Sequence, residues 1–263
     1  MTINFLSGLP RSGSTLLAAL LRQNPRFSAS IESPVCGLYS QVITTLSKHE
    51  AGGFASDEKR KAILRAVVGA YYEDAAPNSV VFDNSRGWCA HLAGLKQLYP
   101  RAHVLCCVRN PAWVLDSIER LIRRYPFRAS RLFDAEAARD VYSRVEFMAH
   151  AMVGTSLRRL REAWFSDQAD MLILIRYDSL CAQPAQVMRE LYARLDEPWF
   201  EHDFDNVTFS EPAFDEHLGL PGLHTVAGPI TARTRDTLLP SDLFEANSEC
   251  FWDHVNPRDV AVL

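Results

Sequence analysis

The chain has no apolar run near the ~18 residues that a membrane-spanning helix needs, so a span across a bilayer is not expected. Its first seven residues, "MTINFLS", lack the basic start of a secretion leader. Positive charge is not in excess: 28 Lys and Arg against 32 Asp and Glu leave a net charge of −4. Sequence-independent nucleic-acid binding is therefore not expected, and any anion must be held by a local set of donors. The six cysteines include no pair at the spacing of a zinc site or a redox motif. Cys106 and Cys107 sit in an apolar run and read as buried thiols. These absences together point to a reduced cytoplasm. Internal repeats, low-complexity tracts and clear linkers are also missing. The 263 residues, 48% hydrophobic and 23% charged, suit one domain over 1–263 with a substantial core.

Strand and helix patterns alternate along this length. Residues 3–7, "RFSAS" (26–30), "SVVFD" (79–83), "AHVLCCVR" (102–109) and "DMLILIR" (170–176) read as strands. Helices are expected over 14–23, after Pro34, from a cap at Ser56 or Asp57 to about Asp74, and over 88–98, 110–124 and 184–195. Residues 125–134 read as a loop. Between 135 and 165, Ala138, Val141, Val145, Met148, Met152, Leu157 and Leu160 keep near-helical spacing and read as a core-facing stripe. The Pro/Gly-rich stretch 205–231 is weakly patterned, and so long a segment usually packs over a site. Alternation of this kind predicts an α/β fold: a central parallel β-sheet flanked by helices, P-loop-like at its first turn. Ligands in such sheets lie beyond the carboxyl ends of the strands. Gly8, Asp83, Arg109 and Tyr177 all follow predicted strand ends and are expected to share that edge.

The segment "FLSGLPRSGSTLL" (5–17) has the form of a phosphate loop between a strand and a helix. Where such loops end Gly-Lys-Ser/Thr, this one reads Gly13-Ser14-Thr15, without the lysine. Gly8 and Gly13 permit tight turns, and the amides of residues 11–15 can point at an anion. Ser12, Ser14 and Thr15 add hydroxyls, and Arg11 supplies a cation. The usual lysine reaches the β and γ phosphates of a nucleotide triphosphate. Its absence suits a group with less terminal charge, such as a sulfuryl group. In "VRNPAWVLDSIERL", Arg109 ends a strand and Ser117 lies about two helical turns on. Each alone reads as a surface residue; as a pair beside the first loop they are candidates to clamp a second phosphate.

"GLPRSGSTLL" resembles the 5′-phosphosulfate loop of sulfotransferases that use 3′-phosphoadenosine 5′-phosphosulfate (PAPS), and "VRNPAWVLDS" is similar to their 3′-phosphate motif. The likeness continues to "RYDSL" and covers most of the first 185 residues, nearest to the protein-tyrosine sulfotransferases and related bacterial enzymes. The resemblance implies that Arg11, Ser12, Gly13, Ser14 and Thr15 hold the 5′-phosphosulfate and Arg109 and Ser117 the 3′-phosphate. It implies that Tyr177 contacts the nucleotide and that the segment around Leu223, His224 and Thr225 covers it. PAPS is the implied sulfuryl donor, 3′,5′-adenosine bisphosphate the product, and no metal is required. Glu32, in "SASIESPV", stands where the tyrosine-specific members carry their catalytic base. A free carboxylate with a pKa of about 4.3 facing a phenol near 10 leaves full proton transfer ~8 kcal/mol uphill. Either a raised Glu32 pKa or transfer concerted with sulfuryl departure is therefore expected.

Two departures from the family pattern concern the acceptor side. The lysine expected after "VVFD" is replaced at Asn84, with Ser85 or Asn84 left as a hydrogen-bond donor and Arg86 as the nearest cation. Ser85 is accordingly placed with Glu32 and Arg11 among the catalytic residues. Ser33 and Pro34 stand where the family has a basic residue after the catalytic glutamate; arginines 123, 124, 128 and 131 read first as a solvated basic face and otherwise as its replacement in acidic-peptide binding. The acceptor is expected to be a small molecule or a peptide bearing a hydroxyl, first a phenol or tyrosyl group, with an alkyl alcohol or sugar open. A homodimer is compatible with the sequence. His91 and His103 stand outside the positions where other sulfotransferases carry a histidine base. Two other readings remain at this stage: a P-loop kinase with Asp83 holding Mg²⁺, and a nucleotide-binding protein without catalysis.

Overall fold

The computed structural model describes residues 1–48, 50–125, 140–232 and 234–263. The first half runs β1 (Thr2–Gly8), α1 (Ser14–Leu21), β2 (Phe27–Ala29), α2 (Val35–Lys48), α3 (Asp57–Tyr71), β3 (Val80–Asn84), α4 (Leu92–Leu98), β4 (Val104–Val108) and α5 (Pro111–Arg124). The second runs α6 (Val141–His150), α7 (Met152–Trp164), β5 (Leu172–Arg176), α8 (Tyr177–Ala182), α9 (Pro184–Arg194), β6 (Val207–Phe209), α10 (Pro212–His217), β7 (Val226–Gly228), α11 (Ser241–Ala246) and β8 (Ala261–Val262). Six strands form one sheet in the order β2-β3-β1-β4-β5-β8, and each neighbouring pair is parallel. The α/β architecture read from the sequence is the one observed.

Helices cover both faces, so the strands are apolar throughout and alternate residues feed two cores. Phe5, Val104, Cys106 and Val108 face the core built with α2, α4, α5 and α7. Leu6, Leu105 and Cys107 face the core built with α1 and α9. The adjacent cysteines therefore point to opposite sides of the sheet, and both are buried. Each large side chain buried this way is worth roughly 1.5–3 kcal/mol.

Local chemistry sets the helix starts. Ser56, rather than Asp57, caps α3 by accepting the Lys59 amide. Asn110 caps α5 by accepting the Ala112 amide at 2.9 Å, with Pro111 in the first turn. The apolar stripe expected through 135–165 is two helices, because the backbone at Ala151 (φ −82, ψ −109) leaves the helical region. Residues 135–139 of that stripe, and most of the predicted 125–134 loop, lie outside the described residues. Two short features had no expectation. Strand β8 adds to the sheet edge, where the Leu263 carbonyl accepts the Arg176 amide at 2.8 Å. Strands β6 and β7 form an antiparallel pair within the stretch that reads as weakly patterned. Among the described residues no helix is long and apolar enough to cross a membrane.

Candidate active site

Strand order reverses at β1: its connections lead to β2 and β3 on one side and to β4 and β5 on the other. A crevice opens beyond the strand ends at such a point, and the loop after β1 fills it. Gly8, with φ 104, lies against β4 so closely that a Cβ would sit 2.2 Å from the Cys107 carbonyl oxygen. The Leu9 amide donates to that same oxygen at 2.9 Å. The Ser12 hydroxyl is buried, 2.7 Å from the Cys107 carbonyl and 2.5 Å from that of Leu9. Ser12 therefore ties the loop to β4 with its side chain, and only its amide is left to meet an anion. Gly13 turns the chain into α1 with φ 98, and that helix begins without a side-chain cap. Its first amides, with the hydroxyls of Ser14 and Thr15 beside them, are left for a ligand.

Three arginines converge here. Arg11 adopts a left-handed φ of 56. Its Nε lies 3.4 Å from the Ser117 hydroxyl and its Nη1 donates to the Leu223 carbonyl at 2.9 Å. The Arg109 guanidinium lies over the Tyr177 ring, 4.3 Å from its centroid. That ring also faces the loop, since a Cβ on Gly13 would sit 2.8 Å from Tyr177 Cδ2. Arg235 pairs with buried Asp116 at 2.7 Å and lies over Trp113. Burial depresses the pKa of Arg11; Tyr177 opposes this, Arg109 adds to it, Asp215 opposes it and Arg235 adds to it. The Nε of Arg109 is buried with no hydrogen-bond partner among the described residues. An orphaned cationic donor beside two further guanidiniums and a free helix start fits an anion with more than one charged group. Arg11, Arg109, Ser117, Tyr177 and the Gly13 loop are thus brought together. Arg235 joins them without any motif to announce it.

Glu32 follows the edge strand β2 and opens into a cavity of about 550 Å³. Phe27, Ile31, Tyr72 and Phe214 line it together with the polar side chains of Arg22, Ser28, Ser30 and Glu211. Burial raises the Glu32 pKa, opposed by Arg86 and then His224, with Asp83 adding to the rise. The backbone under Glu32 is bracketed by the end of β3. The Asn84 amide side chain donates to the Ile31 carbonyl at 2.9 Å, and its backbone N–H donates to the Ser30 hydroxyl at 3.1 Å. Ser33 donates to Asp83 at 2.5 Å.

Asp83 is fully buried and accepts also from Tyr72 at 2.5 Å and from the Trp88 indole at 2.6 Å. Both its oxygens are engaged by protein donors, which corrects the reading of Asp83 as a Mg²⁺ ligand. Asn84 likewise spends its side chain on the backbone rather than facing a substrate. Ser85 is half-buried and its hydroxyl accepts the Gly87 amide at 3.3 Å. Of the arginines offered for peptide binding, Arg123 pairs with buried Glu119 at 2.7 Å and Arg124 lies over Tyr125. Arg128 and Arg131 lie outside the described residues.

Residues 5–201 match the model of the sulfotransferase family. The chain is 30% identical over 129 residues to nodulation protein NoeE of Sinorhizobium fredii, a match over 44% of this chain but only 31% of that protein's length. Among solved structures, the sulfotransferase domain of the Synechococcus PCC 7002 olefin synthase aligns over 93% of both chains, at 19% identity and a TM-score of 0.51. The sulfotransferase domain of the curacin biosynthetic pathway aligns over 76% of this chain and 75% of its own, at 18% identity and a TM-score of 0.50. The sulfotransferase of Alicyclobacillus acidocaldarius aligns over 83% and 90%, at 18% identity and a TM-score of 0.50. These structures share the fold, and the family match spans the loop after β1, the start of α5 and Glu32. The chain belongs to the sulfotransferase family.

Proposed function

We propose that this chain transfers the sulfuryl group of PAPS to a hydroxyl acceptor, with a phenol as the acceptor class. The observation that carries the reading is the Arg109 guanidinium, stacked on Tyr177 with a buried, unpartnered Nε, beside Arg11 and the uncapped start of α1. Arg11 and the amides of Ser12 to Thr15 would hold the 5′-phosphosulfate, and Arg109 with Ser117 the 3′-phosphate. PAPS supplies a sulfuryl group whose bond to the bridging phosphate oxygen breaks as the acceptor oxygen bonds to sulfur, the electron pair staying on 3′,5′-adenosine bisphosphate.

This chain's own work is then to orient, to neutralise and to take a proton. Fixed donors aimed at developing charge are each worth about 3 kcal/mol. Glu32 accepts the acceptor proton, and its raised pKa reduces the uphill gap to a phenol. Arg86 is the cation nearest in effect to Glu32 and takes over part of the role left by the lysine absent at Asn84. Phe27, Ile31, Tyr72 and Phe214 in the cavity beside Glu32 suit a ring-bearing acceptor, and Arg22, Ser28, Ser30 and Glu211 supply its polar lining.

Thermal-shift measurement with 3′,5′-adenosine bisphosphate, followed by transfer from ³⁵S-labelled PAPS to small phenols and tyrosine peptides, tests the reading. A clear stabilisation and a labelled phenyl sulfate are expected. No stabilisation by the bisphosphate would overturn it.

A further inference from the structure

The segment from Pro212 to Thr225 is folded around one buried carboxylate. Asp215 is wholly buried, with Oδ1 2.6 Å from Nδ1 of His224 and Oδ2 accepting the His224 backbone N–H at 3.0 Å. An ionised carboxylate against Nδ1 fixes the proton there, so Nε2 is the ring's free lone pair when the imidazole is neutral. Nε2 has no hydrogen-bond partner among the described residues, and the side chain keeps 16% of its exposure.

His224 is also held between the two halves of the site. The preceding residue, Leu223, gives its carbonyl to Arg11 of the donor loop. Phe214, which lines the cavity holding Glu32, packs its ring 5.3 Å from the imidazole. His224 lies near enough to bear electrostatically on Glu32, whose pKa a protonated ring would lower against the rise from burial. Groups bearing on the pair are Asp215 on its own segment, Arg11 on the donor loop, and Arg86 and Asp83 on β3 and the turn after it.

We propose that His224, oriented by Asp215, is a second proton acceptor at the transfer centre, so that the proton leaving the acceptor hydroxyl is shared between Glu32 and Nε2 of His224. This rests on the sulfuryl-transfer reading above and adds no new bond change to it. An imidazole is about two units more basic than a carboxylate. Ending the proton there narrows the gap to a weakly acidic phenol, which a carboxylate alone leaves wide. The carboxylate–imidazole arrangement is the one that orients a base in acyl transfer, recognised by geometry rather than by position in the chain.

The test compares two acceptors in the whole protein, phenol and 4-nitrophenol, with ³⁵S-labelled PAPS as donor. Phenol must lose its proton at the enzyme, whereas 4-nitrophenol is already largely ionised in mildly alkaline buffer. His224→Gln is expected to slow transfer to phenol about 10²-fold, at least tenfold more than it slows transfer to 4-nitrophenol, with stabilisation by 3′,5′-adenosine bisphosphate retained. His224→Ala should regain phenol turnover when imidazole is added. Equal losses on both acceptors, or none on either, would overturn the proposal while leaving the sulfotransferase reading in place. A native protein that neither binds the bisphosphate nor sulfates either phenol would instead overturn the underlying reading.

Discussion

The guanidinium of Arg109 stacks on the ring of Tyr177 at 4.3 Å, and the same ring closes against Gly13 of the donor loop. One side chain thus joins the loop after β1 to the end of β4, and a flat, delocalised cation suits its face. Arg109→Ala is expected to weaken 3′,5′-adenosine bisphosphate binding by about 10- to 100-fold, as a charged hydrogen bond worth ~1.5–3 kcal/mol is lost. Arg109→Lys should recover little, because an ammonium cannot stack or fork. Titration calorimetry checks both.

Gly13→Ala meets two obstacles: a φ of 98 and a ring carbon of Tyr177 at 2.8 Å from the new methyl. A strained backbone of this kind costs about 1–3 kcal/mol. The variant should remain folded by circular dichroism and lose most of its thermal shift with the bisphosphate.

Glu32→Ala is expected to bind the bisphosphate as the native protein does and to lose about 10²- to 10⁴-fold in turnover on phenol. The pH profile of the native enzyme carries a second sign of the same group. Burial raises the Glu32 pKa, and the base works deprotonated, so the rate should fall on acidification at a pH above the ordinary carboxylate value near 4.3. A limb at or below that value would remove Glu32 as the base.

Asp83 holds three donors in a fully buried position. Asp83→Ala leaves them unsatisfied and is expected to cost about 3–5 kcal/mol in urea unfolding. Because Ser33 is one of the three, the variant should also lose turnover on phenol while any folded fraction keeps bisphosphate binding.

His202 is buried beside Tyr192 and Gln23, and burial lowers its pKa to about 4. An unfolded histidine titrates near 6.5. Between those values the unfolded chain binds the extra proton, so stability present above pH ~6.5 declines toward pH ~4, by about 3 kcal/mol in all. His202→Gln should flatten that part of the stability profile in denaturant titrations at a series of pH values.

The parallel sheet and the donor loop were legible because they rest on local signals: apolar runs, helix caps and a glycine-bounded turn directly after a strand. Ser12 was legible as part of that loop, yet its hydroxyl turns inward to Cys107, since the direction of a side chain depends on the strand packed beneath it. Arg235 was not legible, because its partner Asp116 is far away in the chain and no spacing rule joins them. Asp215 lies in a Pro/Gly-rich stretch with no motif around it, and only the closed turn to His224 distinguishes it. Strand β8 contains too few residues to show a period.

The Asn84 side chain, anchored on the Ile31 carbonyl, bears on how acceptor preference can change by mutation. A lysine at this position would bring a cation and give up the bond to Ile31, leaving the turn before Glu32 on the backbone contacts of residue 84 with Ser30 and Ser33 and on the Ser33–Asp83 bond. On the sulfuryl-transfer reading proposed above, one substitution would therefore trade the anchor of the Ile31 carbonyl for a positive charge at the end of β3.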